Sequence, residues 1–144
     1  MKHPIYLLIG APCSGKTWII DQVKHFVRCV EHDLSPDNLD DYIWRVQYVS
    51  YSGVVVADIP FKGEEFAAQL SKLGLDVHKL YVLVRDGDLK QRYFKRTGKL
   101  PHQYILNTNK SIMEHFQEGE FAGDSTRVLE YLNGTLGAST ESER

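Results

Sequence analysis

Apolar residues in this chain gather in short runs, and between the runs they recur every three or four positions. IYLLI (5–9) is an unbroken apolar run, the pattern of a strand buried on both faces. Residues 15–26 read as a helix with Ile19, Val23 and Phe26 on one face, and FVRCV (26–30) as a second strand. SPDNLDDYIWRVQYV (35–49) opens on Ser-Pro and Asp-Asn start signals and continues with Leu39, Ile43 and Val46 at helical spacing. GVVVAD (53–58) has the β-branched composition of a central parallel strand. Residues 63–73 carry Phe66, Leu70 and Leu73 on one face, with Gly74 as a stop, and KLYVLV (79–84) is a further strand. A basic helix spans 88–97, GKLP breaks it, and 102–117 form another helix through Ile105, Ile112, Met113 and Phe116. TRVLEYL (126–132) reads as a last strand, and GASTESER (137–144) as a flexible tail.

Strands that alternate with helices predict a parallel sheet joined by right-handed crossovers and covered on both sides, an α/β three-layer fold. One domain is expected over residues 1–136, with a lid near 86–101. Ligands of such sheets bind at the carboxyl ends of the strands. That rule points to Gly10 onward, to Glu31–Asp33, to Asp58 and to Arg85–Asp88.

Composition narrows the classes. The 144 residues are 42% apolar and 25% charged, with a net charge of −2, and the isoelectric point is near 6.3. Such a balance argues against a surface that coats nucleic acid throughout, while leaving room for a local basic patch. Cys13 and Cys29 form neither a disulfide framework nor a metal-binding spacing. No apolar run approaches membrane-spanning length, and MKHPIYLLIGAP lacks the pattern of a signal peptide, so the expectation is a cytoplasmic protein with no membrane contact. No obligate protein partner is evident.

The candidate chemistry begins where the first strand ends. Gly10, Ala11, Pro12, Cys13, Ser14, Gly15, Lys16 and Thr17 match GxxxxGK[ST], between a predicted strand and a predicted helix, and Trp18 follows. Glycines let the backbone turn its amides inward as an anion nest, and the helix adds its positive end. Lys16 is expected on the β- and γ-phosphates of ATP and Thr17 on Mg²⁺. The fold class is therefore a three-layer P-loop NTPase fold with a parallel sheet and a helical lid. NTNK (107–110) lacks the aspartate of a guanine-reading motif and falls inside a predicted helix, which argues against a GTPase.

A kinase needs positioning, Mg²⁺, cationic cover for the migrating charge and a carboxylate to orient the acceptor hydroxyl. DLKQRYFKRTGK (88–99) carries Lys90, Arg92, Lys95, Arg96 and Lys99 against one acid, with Arg92 and Arg96 four apart on one face. It reads as a lid over the phosphates, or else as a solvated basic face. Asp33, after the second strand, is a candidate for the acceptor hydroxyl's proton, or a turn residue. Asp58, ending the third strand, is a candidate for Mg²⁺ or substrate, or a helix cap. Asp86 and Asp88 read as caps of the lid helix, and Glu31 and His32 add polarity near the site.

Several segments resemble the phage-type polynucleotide 5′-hydroxyl kinases and the phage kinases that phosphorylate hydroxymethyluracil in DNA. IGAPCSGKTW is similar to the family's loop, including Trp18 after Thr17. VVVADIPFKGEEFAAQLSKLGLDVHKLYVLV looks like its third strand, helix and fourth strand, and LKQRYFKRTGKLPHQYILNTNKSIMEHF like its lid and next helix. The resemblance implies Lys16 and Thr17 on phosphates and Mg²⁺, Asp33 as general base, Arg96 as lid arginine, and Asp58 in the site. Two positions depart from it. Pro36 stands where the family has an arginine for the substrate's phosphate, and Ile59-Pro60 replaces a polar pair.

The expectation is an ATP- and Mg²⁺-dependent kinase acting on a hydroxyl of a nucleic acid or nucleotide. A nucleoside monophosphate or small-metabolite kinase, and a nucleotide-binding regulator without turnover, stay open beside it.

Overall fold

The computed structural model describes residues 3–32 and 39–142, with side chains through residue 137. Its centre is β1 (Ile5–Ile9), all five residues of which are buried. Ile5, Leu7 and Ile9 face one side of the sheet, and Tyr6 and Leu8 the other, so a continuous apolar run feeds two cores at once.

The chain continues through α1 (Lys16–Val23), β2 (Arg28–Val30), α2 (Leu39–Ser50), β3 (Val55–Ile59) and α3 (Gly63–Lys72). Then come β4 (Val77–Val82), α4 (Asp86–Thr97), α5 (Gln103–His115), a 3-10 turn at Phe116–Glu118, β5 (Phe121–Gly123) and α6 (Ser125–Ser142). The strands form one sheet in the order β2-β3-β1-β4-β5, and every pairing is parallel. Tyr42, Val46, Phe66, Leu70, Leu89, Ile105 and Ile112 bring α2 to α5 against one face. Ile19, Ile20, Val23, Val128, Leu132 and Leu136 bring α1 and α6 against the other. β1 lies between β3 and β4, where successive connections leave in opposite directions, so its carboxyl end opens into a crevice.

The model corrects the expected elements in three places. The second strand is only Arg28–Val30, α1 ends at Val23, and Phe26 is exposed rather than on the buried face of a longer helix. The last strand is Phe121–Gly123, and TRVLEYL lies inside α6. The Asp124 carboxylate accepts from the Arg127 amide at 2.9 Å and starts that helix, while Val128, Leu132 and Leu136 fall four apart onto the sheet. Residues 137–142, expected in a tail, continue α6.

At the amino-terminal end of the sheet, His78 of β4 bridges two carboxylates. Its Nδ1 is 2.6 Å from Glu120 Oε1 and its Nε2 is 3.1 Å from Asp76 Oδ1. The Tyr131 hydroxyl donates to Glu120 Oε2 at 2.8 Å, and the Tyr6 ring stacks on the imidazole. Burial works against the imidazolium, but the hydrogen bonds and charges of Glu120 and Asp76 outweigh it and raise the His78 pKa above 6.5. A raised folded value means stability that is fully present below the ordinary pKa and lost as pH rises through the folded one. Urea unfolding at roughly pH 5.5 and pH 8.5 should show the wild type losing more stability with rising pH than His78→Gln does. Equal losses would remove the charged bridge from the account.

Candidate active site

The loop between β1 and α1 is built by what glycine allows. A Cβ on Gly10 would stand 2.9 Å from the Val82 carbonyl oxygen, so β4 closes in only against a bare backbone. Gly15 has φ +112°, and a Cβ there would meet Ser125 Cβ at 2.6 Å, so α6 abuts the loop from behind. Cys13 also adopts a left-handed φ of 69°. Gly15 caps α1 without a side-chain hydrogen bond, and no acidic residue occupies the first turn. Neither the cap nor the first turn of α1 thus supplies a side-chain anion to neutralise the loop amides and the positive end of the helix.

Lys16 folds back over this loop. Its buried Nζ donates to the carbonyls of Gly10 and Ala11, the latter at 2.9 Å, and to Ser14 Oγ at 3.4 Å. Burial lowers its pKa to about 8, against the pull of Asp58 and Cys13. Thr17 and Trp18 are exposed and line the cleft in front of the loop.

Asp58 is buried within β3 and does not cap α3, whose cap is Lys62. Asp58 Oδ1 accepts from the His32 amide at 2.8 Å, which ties β3 to the chain leaving β2. Burial raises the Asp58 pKa, opposed by the Lys16 charge and the His32 amide. Tyr42 of α2 completes the tie: its hydroxyl reaches the carbonyl oxygens of Val30 at 2.8 Å and Asp58 at 2.6 Å. Burial, then the neighbouring Asp58 charge, pushes the Tyr42 pKa well above its usual value, so the phenol stays a donor.

The basic helix α4 faces the loop from the other side. Arg92 Nη1 donates to the Cys13 and Ser14 carbonyls at 3.2 and 3.4 Å, and Arg96 Nη1 is 3.7 Å from Cys13 Sγ. Asp86 is the first helical residue rather than a cap, and Asn109 Nδ2 donates to its Oδ1 at 2.8 Å and to the Val84 carbonyl at 3.0 Å. NTNK thus lies within α5, where Asn109 fastens the base of α4.

These groups enclose a cleft of about 530 Å³, within the range of small-ligand sites. Lys16, Thr17, Asp58, Arg92, Lys95 and Arg96 all line it, with Glu31 and His32 on its β2 side. The structure thus brings Pro12, Cys13, Gly15 to Trp18, Asp58, Arg92 and Arg96 to one cleft, while Gly10, Ala11 and Ser14 shape the loop behind it and Lys90, Lys99 and Arg85 to Asp88 do not line it. Asp33 and Pro36 lie outside the described residues. Pro60, marked in the sequence as a departure from the resembled family, also lines the cleft, whereas Tyr42 was not singled out. An aromatic at a buried position of a helix carries no signal of its hydrogen bonds.

No protein-family model matches the chain, and no curated protein is significantly similar to it. Solved structures are similar in fold. A gluconokinase from Sinorhizobium meliloti 1021 superposes with a TM-score of 0.65 at 15% identity, over 94% of this chain and 97% of that one. The YorR protein from Bacillus subtilis, in complex with phosphorylated GDP, gives 0.63 at 12% identity over 96% of each chain. A de novo designed protein of P-loop NTPase fold gives 0.55 at 15% identity, over 99% of this chain and 96% of that one. The chain has the three-layer α/β P-loop NTPase fold with a five-stranded parallel sheet.

Tyr42→Phe removes one donor from two buried carbonyls and should cost about 1–3 kcal/mol of stability, read by urea unfolding. A loss below a few tenths of a kcal/mol would show that water replaces the hydroxyl.

Proposed function

We propose that this protein is an ATP-dependent kinase that transfers the γ-phosphoryl group to a hydroxyl of a nucleic acid or nucleotide. One observation carries the reading. Lys16 from the loop and Arg92 and Arg96 from α4 converge on one cradle, facing a buried carboxylate at a strand end. Phosphoryl transfer needs little beyond such cationic cover and positioning.

In this reading the triphosphate lies along the loop amides. Lys16 moves from the Gly10 and Ala11 carbonyls to the β- and γ-phosphates. Arg92 and Arg96 each commit one nitrogen to the loop, which leaves the rest of each guanidinium fork for phosphate oxygens. The α4 side covers the donor and keeps water from competing with the acceptor. Asp33 takes the hydroxyl proton as the oxygen attacks. Asp58 and the Thr17 hydroxyl are oxygen donors on the same cleft, a set that suits a hard divalent cation completed by water and phosphate. They fit Mg²⁺, which when bound neutralises charge on the phosphate oxygens.

The resemblance to polynucleotide kinases supports the acceptor class, and the YorR neighbour was solved with phosphorylated GDP, a nucleotide. A small-metabolite kinase is the second reading. The gluconokinase and a shikimate kinase from Bacteroides thetaiotaomicron, the latter with a TM-score of 0.54 at 11% identity, share the fold and favour it.

Transfer of labelled γ-phosphate should be measured with 5′-hydroxyl oligonucleotides, nucleosides, nucleotides and gluconate as acceptors. Label is expected on the nucleic acid or nucleotide, and Lys16→Ala should abolish it while the fold persists. Label on gluconate alone would establish the second reading, and full activity in Lys16→Ala would overturn the site. Asp33→Asn should lower kcat by about 10²–10⁴-fold, the usual worth of a positioned base. A change confined to KM would take Asp33 out of that role.

The lowered Lys16 pKa gives the proposal a pH signature. Below about 8 the ammonium is charged before ATP arrives. Above that value, binding must take up a proton, so ATP affinity should fall by up to about tenfold per pH unit. Calorimetry in buffers of different ionisation enthalpy should detect the uptake, and a flat affinity across that range would refute it.

A further inference from the structure

The helix α2 buries Tyr42, Val46 and Ser50 and turns two large rings outward. Trp44 and Tyr48 are 60% and 66% exposed, yet they are ordered against each other, with ring centroids 5.4 Å apart and planes 16° from parallel. Neither joins the packed core. Between this pair and the edge strand β2 runs a groove of about 510 Å³, lined by Trp44, Arg45, Tyr48 and Glu31 among others. Glu31 also lines the candidate active cleft, so groove and cleft meet at that residue. A second groove, past Glu31 along the same edge, carries Lys24, Arg28 and Phe26, which is itself 56% exposed.

We propose that Trp44 and Tyr48 form a stacking platform for a base of single-stranded nucleic acid, whose reacting end enters the adjoining cleft. The inference rests on the kinase reading for the end that reacts, and it adds a binding site and a polymeric acceptor. Bases offer a π-face to any exposed ring, and cations beside the rings hold the backbone between them. That combination is present along this edge: Phe26 and Arg28 line one groove, and Arg45, whose guanidinium lies 5.8 Å over the Tyr42 ring, lines the other with Trp44 and Tyr48. Lys24 is paired with Asp21, and the acidic pair Asp40 and Asp41 does not line the groove. A second copy of the chain is the less favourable occupant. On a self-complementary face Glu31 is the acid that lines both grooves, which leaves Arg28 and Arg45 in excess of it. A small acceptor would sit wholly in the cleft and would have no use for rings outside it.

The test is binding of a short 3′-fluorescein-labelled single-stranded DNA, read by anisotropy at fixed low salt without ATP. The wild type should bind, and the double variant Trp44→Ala, Tyr48→Ala should bind about 5- to 150-fold more weakly, the range expected of one base stack. The variant Trp44→Phe, Tyr48→Phe keeps two rings and should retain most of the affinity. Matching thermal melts establish that all three proteins are folded. No binding by the wild type, or equal binding by the alanine variant, overturns the platform. So does sedimentation in which the alanine changes turn a dimer into a monomer, since the rings would then serve a second copy. Because ATP is absent, the two readings fail separately. Ring-dependent binding without phosphoryl transfer keeps the platform and removes the kinase, and transfer to a small acceptor without oligonucleotide binding does the reverse.

Discussion

A fully buried ammonium is expensive, and the candidate site is organised around one. Burial pulls the Lys16 pKa down to about 8 even against the charges of Asp58 and Cys13, and the ammonium donates to two loop carbonyls and Ser14 Oγ. Carbonyl dipoles are a weaker answer to a buried charge than an anion is. The loop therefore stands in a state that a phosphate improves, since phosphate oxygens can take over from the Gly10 and Ala11 carbonyls. The same logic accounts for Asp58, whose raised pKa marks a carboxylate that also lacks full compensation. Two opposite charges, each held by backbone groups at the ends of adjacent strands, leave between them a place for a ligand with charge of its own.

Much of this was legible in the sequence because the features are local. The loop announces itself by spacing, and an unbroken apolar strand before it follows from burial on both faces of the sheet. That the basic helix meets the loop was legible because Arg92 and Arg96 lie four apart in a basic run. What was missed depends on contacts distant in the chain. Tyr42 joins Val30 and Asp58, residues 12 and 16 positions away, and Asn109 holds Asp86 from 23 positions away. The last strand was lost for a different reason. A three-residue strand gives no period to read, whereas Asp124 and the four-residue spacing of Val128, Leu132 and Leu136 were a helix signal overridden by β-branched composition.

Packing divides the cover unevenly. In α4 only Leu89 is buried, and Asn109 fastens the helix at Asp86, one turn from that anchor. Arg92 and Arg96 lie beyond the anchor, and the helix ends at Gly98 in a left-handed conformation. Beyond Leu89 only the partly buried Tyr93 packs against the core, among the described residues of α4, so displacing that half of the helix costs less than displacing its base. The contacts it makes to the loop are hydrogen bonds from guanidinium groups to Cys13 and Ser14, which a phosphate can replace one for one. A helix fixed at its base and loosely held at its cationic end is compatible with the proposed lid.

The β2 side is built by the opposite rule. Here the Tyr42 hydroxyl and the His32 amide lock the strand ends together, so the wall carrying Glu31, His32 and Asp58 is set before any ligand arrives. In the proposed kinase, such a rigid wall would suit the acceptor, whose geometry must be exact at transfer, and the more weakly held α4 would suit the donor, which must enter and leave each cycle. Pro60 lines that wall where the resemblance would have a polar residue, while Ile59 turns into the core. On the proposed reading, an acceptor docked there would gain contacts from the adjoining edge of the sheet, where exposed rings and cations line the grooves.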